Sequence, residues 1–143
     1  MLFPLNLDLE NPQRKCEDLH DVVPERRGSV GGVLEDKPII CGGWAEDIEY
    51  MNDCLVIGHP TSMTKTMLQN RSNAAAVVLT DEGGSKLWII GGEDDKVFFN
   101  STEFIESKSD VALKGPDLNF SFTEGCAVKV NESAIFIIGG KIF

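Results

Sequence analysis

The chain has 143 residues and a mass of 15.7 kDa, enough for one domain with a core but not for several. Apolar residues make up 42% and charged residues 25%, a globular rather than a disordered composition. Thirteen basic against 23 acidic residues leave a net charge of -10, which argues against nucleic acid and anionic membranes as partners.

Residues 1–26 form a lead rather than part of the patterned chain. The start, Met1 to Asp8, has no charged leading segment, and Pro4 and Asn6 interrupt its apolar stretch, so it does not read as a signal peptide. The expectation is an intracellular protein or a chain lacking its true start. Leu5 to Leu9 can supply an outer strand, followed by a linker through Pro12 and Pro24. Further on, apolar runs such as Ala74 to Leu79 are far shorter than the roughly 20 residues of a membrane helix. No membrane insertion is expected.

From residue 27 the chain repeats itself. Three apolar stretches end in a glycine pair: Pro38 to Gly43, Leu87 to Gly92 and Ile135 to Gly140. The pairs Gly42-Gly43, Gly91-Gly92 and Gly139-Gly140 recur at spacings of 49 and 48 residues. Gly31-Gly32 and Gly83-Gly84 fall outside that register and read as ordinary strand or turn glycines. Before each marked stretch lies a small-residue segment: Gly31 to Leu34, Ala74 to Leu79, and Gly125 to Val130. Polar turns at Glu35-Asp36, Thr80 to Ser85 and Asn131 to Ser133 separate the two, so each unit reads strand, turn, strand. Third strands are expected at Asn52 to Ile57 and Ser101 to Glu106, aligned at an offset of 49. Weaker fourth segments follow around Met63 to Leu68 and Val111 to Leu118. The units are 27–71, 72–121 and an incomplete 122–143.

A period near 50, four strands per unit and a double glycine after the second strand resemble the kelch repeat. The resemblance covers residues 27 to 143, with Arg27 and Arg71 in keeping with it. It departs at the aromatic positions: only Tyr50 lies near the expected tyrosine, and Trp44 and Trp88 sit elsewhere. These look like divergent kelch repeats. The resemblance implies an all-β fold, a partial kelch-type β-propeller of about two and a half to three four-stranded antiparallel blades. Propellers need roughly four to eight blades. The expectation is therefore a piece of a longer propeller, or alternatively copies that self-assemble, two three-blade arcs making one ring.

The function this implies is a non-catalytic protein–protein interaction module. Kelch architecture is shared with galactose-oxidase-like copper enzymes, but one tyrosine, with His20 and His59 as the only histidines, cannot supply their ligands. A degenerate relative of those enzymes is the weaker alternative. No G-x-S-x-G, H-E-x-x-H or phosphate loop occurs, so no catalytic residue, metal site or cofactor is expected. In a propeller the loops after the glycine pairs emerge on one face. Here they carry Trp44, Glu46, Asp47 and Glu49 in one unit, and Glu93, Asp94 and Asp95 in the next. Such a rim can be plain solvated charge, or it can steer a basic protein partner. The other alternative, an extracellular glycan- or ligand-binding propeller, would use Trp44 as a stacking platform.

Two features bear on compartment. Cys41 and Cys54 flank one hairpin on strands that should pair; they can form a disulfide if their Cα atoms lie within about 7 Å, or serve as small buried residues. Cys126, among small first-strand residues, reads as core, and Cys16 lies in the lead. Four of the eight asparagines, Asn70, Asn100, Asn119 and Asn131, begin N-x-S/T triplets, where random placement of the 15 Ser and Thr gives about one. Extracellular and cytoplasmic origins remain equally open.

Overall fold

The computed structural model describes residues 24–46, 49–58 and 63–143. The expected outer strand at Leu5 to Leu9, together with Cys16 and His20, lies outside them, as do Asp47 and His59. The described chain is all β: β1 (Val30–Leu34), β2 (Lys37–Cys41), β3 (Asp53–Val56), β4 (Met63–Thr66), β5 (Ala75–Asp81), β6 (Gly84–Ile90), β7 (Thr102–Glu106), β8 (Leu113–Lys114), β9 (Phe122–Asn131) and β10 (Ala134–Ile142). They form two four-stranded sheets, β1-β2-β3-β4 and β5-β6-β7-β8, and the two-stranded β9-β10. Every ladder is antiparallel and each strand pairs with its sequence neighbour. No sheet closes on itself.

Local chemistry explains the hairpins. Glu35 and Asp36, between the paired residues Leu34 and Lys37, have φ of 48° and 63°, the two left-handed residues of a tight primed turn. At the other end of the second strands Gly42-Gly43 and Gly91-Gly92 turn the chain out of the sheet, whereas Gly139-Gly140, expected to end a strand in the same way, lie within β10, which stays paired with β9 as far as Ile142. Gly42 has φ 62° and Gly91 φ 64°, and a side chain at either would run into a carbonyl, that of Arg71 or of Phe122. Both the conformation and the lack of space therefore require glycine.

The sheets stack face to face. Leu34, Ile39, Cys41, Cys54 and Val56 of the first unit pack against Leu87, Ile89 and Ile105 of the second. The other face of the second sheet, with Ala75, Val77, Ile90 and Trp88, packs on Phe122, Ala127, Ile135 and Ile137 of the third. Strand β6 is thus buried on both sides, which is why Leu87 to Ile90 is an unbroken apolar run instead of an alternating one. Each fully buried aliphatic side chain there contributes roughly 1.5–3 kcal/mol.

Hydrogen bonds tie the units together at matching places. Gly28, Asn73 and Glu124 all have positive φ and are linked in series, the Asn73 N–H donating to the Gly28 carbonyl at 2.7 Å and the Glu124 N–H to that of Asn73 at 2.8 Å. Just before them come Arg26, Arg71 and Phe122. Arg26 donates to the carbonyl of Gly42 and Arg71 to that of Gly91, each the first glycine of the pair in the unit that follows it. The partner of Arg71 in the repeat is therefore Arg26; Arg27 matches Ser72, since both bridge to the residue after their glycine pair.

The third-strand register also differs from the sequence expectation. Cys41 pairs with Cys54 while Ile90 pairs with Thr102, so the loop in the second unit is one residue shorter. Asn52 thus matches Asn100, not Ser101. Cys126 is exposed rather than in the core. It shares the outer face of β9-β10 with Val128, Val130, Phe136 and Ile138, each about half exposed, because no sheet among the described residues covers that face.

Candidate functional site

The loops after the glycine pairs are held by short bridges. Trp44 exchanges two backbone hydrogen bonds with Arg27, at 2.8 and 2.9 Å, and Glu93 exchanges two with Ser72 at 2.8 and 2.9 Å. Met51 N–H then returns to the Gly43 carbonyl, and Phe99 N–H to that of Gly92. Each loop is a closed excursion from the end of its sheet, and the two lie side by side at the seam between units.

A cavity of about 300 Å³ opens at that seam, lined by Trp44, Ala45, Glu49, Tyr50, Asn70, Asp94 and Asp95. It brings together three of the acidic residues expected from sequence and the tryptophan beside them. It adds Tyr50 and Asn70, which the charge pattern did not single out. Tyr50 lies near the place where the resemblance expects a tyrosine, the one signal that pointed to it.

Four of the loop carboxylates also have partners of their own. Glu46 faces Arg27 at 3.4 Å, both exposed. Glu93 accepts from Asn73 Nδ2 at 2.8 Å. Asp94 has a structural task as well: its Oδ1 accepts from the Lys96 and Val97 N–H groups, both at 2.8 Å, which folds the loop. Asp95 has Lys96 at 3.7 Å, an exposed pair worth little. Asp47 falls outside the described residues.

The electrostatics of the cavity register on Tyr50. Its hydroxyl is held above the usual phenol range, first by burial and then by the negative charges of Glu93, Asp95 and Asp94. All three carboxylates come from the second unit, while Tyr50 comes from the first. One aromatic of the site already has a cation against it: the Arg27 guanidinium lies 5.1 Å from the Trp44 ring centroid. Rings, carboxylates and one amide thus meet at the seam, groups whose chemistry suits a guanidinium or ammonium group.

The glycine pairs are structural: all six residues have positive φ, and all but Gly139 are crowded by neighbouring atoms. Cys41 and Cys54 form a disulfide between directly opposed residues of β2 and β3, with Cα atoms 4.0 Å apart. Asn70, Asn100, Asn119 and Asn131 are all exposed. Among the described residues no group of three or more His, Cys, Asp or Glu could hold a metal ion, and no helix is long and apolar enough to cross a membrane. No model of a known protein family matches the chain, and no curated protein matches it.

Proposed function

We propose that the units are divergent kelch-like propeller blades and that the chain is a protein-interaction module, not an enzyme. Support for the blade reading comes from Gly42-Gly43 and Gly91-Gly92 at matched ends of β2 and β6, the meandering four-stranded sheets and their face-to-face stacking. The partner is a basic segment of another protein. The observation that carries this is the seam cavity, where Glu49, Asp94 and Asp95 surround Trp44 and Tyr50. A lysine or arginine side chain entering it exchanges water for carboxylates and ring faces. A glycan-stacking role for Trp44 has less support, because the Arg27 guanidinium lies against one face of its ring.

The test is binding of a lysine- and arginine-rich peptide to the wild-type chain and to a Glu49→Gln/Asp94→Asn/Asp95→Asn variant. Asparagine at 94 keeps an acceptor for the Lys96 and Val97 N–H groups, so the loop is preserved. Wild type should bind with an association rate that falls as salt rises, and the variant should associate more slowly with a flatter salt dependence. Equal rates and equal salt dependence would refute the basic-partner reading.

A further inference from the structure

The four N-x-S/T triplets are alike in sequence, but the fold treats them differently. At Asn70 the required hydroxyl belongs to Ser72, which is 1% exposed and bridged on both backbone sides to Glu93. At Asn100 it belongs to Thr102, also 1% exposed, whose Oγ1 donates to the Pro116 carbonyl at 2.8 Å. The Asn100 amide is itself committed, Nδ2 donating to the Leu118 carbonyl at 3.2 Å. At Asn119 the hydroxyl residue, Ser121, is half-buried and exchanges both backbone hydrogen bonds with Phe143.

Asn131 is different. It occupies the tip of the β9-β10 hairpin, where Asn131, Glu132 and Ser133 are all exposed. The Ser133 N–H and the Ser133 hydroxyl both donate to Asn131 Oδ1, at 2.9 and 3.0 Å. No hydrogen bond among the described residues uses Asn131 Nδ2. The amide oxygen is thus held by two donors while the nitrogen stands free in solvent.

We propose that Asn131 is an N-glycosylation site, its Nδ2 taking an oligosaccharide from a lipid-linked pyrophosphate donor. The new bond joins Nδ2 to the anomeric carbon, and the bond from that carbon to the phosphate oxygen breaks. The lipid pyrophosphate leaves with the electron pair, and the Nδ2 proton passes to a base of the transferase. Nothing is oxidised or reduced. The two donors on Oδ1 stabilise the negative charge that gathers on the amide as the proton departs. A second, independent observation agrees: the Cys41–Cys54 disulfide belongs to the oxidising compartments in which such transfer takes place. The strand direction of β10 puts Asn131 at the opposite end of its sheet from Gly139-Gly140, so a glycan there leaves the glycine-pair end free. The inference is independent of the seam cavity.

The test has two arms. The full chain is first directed through the secretory pathway of animal cells, and the secreted protein is digested with peptide-N-glycosidase in ¹⁸O water. Mass mapping should find labelled aspartate at 131, with loss of that label in Ser133→Ala and its retention in Ser133→Thr. In the second arm the folded, unglycosylated wild-type chain receives purified oligosaccharyltransferase and donor, so no variant has to fold. Transfer should then favour Asn131 over Asn70 and Asn100. An unmodified Asn131 peptide from the secreted protein overturns the proposal, as does equal or greater transfer to Asn70 or Asn100 in the folded chain.

Discussion

The first and second units share one architecture but are held together differently. At the pair next to the glycines, the first unit places Cys41 opposite Cys54 and joins them covalently; the second places Ile90 opposite Thr102, both fully buried. The buried arginines diverge in the same way. Arg26 is 1% exposed but its partner Asp53 is 33% exposed, at 3.0 Å, so water still reaches the carboxylate. Arg71 and Glu103 meet at 2.8 Å with exposures of 2% and 0%. One repeat thus closes its seam with a covalent link and a wet ion pair, the other with apolar contact and a dry one. Both members of the second pair are almost wholly buried, so the loss of either leaves the other stranded.

The largest expected effect follows from that contrast. Arg71→Met leaves Glu103 buried without its cation, and the Gly91 and Ser101 carbonyls lose a donor. A cost of about 3–5 kcal/mol is expected in urea unfolding. Arg26→Met frees an Asp53 that can rehydrate and strands chiefly the Gly42 carbonyl, so about 1–3 kcal/mol is expected. Equal losses would break the comparison. The pH dependence separates the units too. Burial holds the Glu103 carboxyl above the ordinary carboxylate range, against the pull of Arg71. A raised carboxyl contributes stability that is present below the ordinary range and lost as pH rises through its folded value. Removing Arg71 raises that value further, so the stability of Arg71→Met should fall more steeply with rising pH than that of the wild type.

Much of this contrast could not be read from sequence. The glycine pairs located the first two strands of every unit, because all six glycines have positive φ and all but Gly139 are also crowded by neighbouring atoms. Equal spacing then misplaced the third strand by one residue, since loop length is free to vary where backbone alone must bridge the gap. Arg27 was matched to Arg71 because two arginines are adjacent, and only the hydrogen bond to Gly42 identifies Arg26 as the equivalent. Gly28 and Asn73 are ordinary occupants of positive φ, but Glu124 is not, and its equivalence is visible only through its bond to Asn73. At the candidate site, charge pattern located Glu49, Asp94 and Asp95. Asn70 was out of reach because it comes from the connection between units and joins the cavity only through stacking.

An intermediate effect is expected from the covalent link. Cys41→Ala/Cys54→Ala opens a loop of 13-residue separation and should cost about 3 kcal/mol, measured as a lower urea midpoint. Reduction of the wild type should match it. The reciprocal substitution, Ile90→Cys/Thr102→Cys, places a cysteine pair at the same register in the second unit. If the units differ only in their closure, this variant should unfold later when oxidised than when reduced. Failure to cross-link would mean that the dry unit does not allow the approach the wet one does.

The smallest effect is at the seam itself, where the two units meet through Tyr50. It is the chain's one tyrosine, so ultraviolet titration reads it without ambiguity. Its ionisation should lie above the ordinary phenol range, since burial comes first among the causes and the second unit's carboxylates add to it. Asp94→Asn/Asp95→Asn should move the titration back toward the ordinary value but not fully, because burial and Glu93 remain. Glu49→Gln, a first-unit change, should move it less. Bound basic peptide should also shift it downward, since a cation in the cavity favours the phenolate. An unchanged titration in Asp94→Asn/Asp95→Asn would mean that the two loops do not share one electrostatic site, and the seam would then be only a place where two sheets touch.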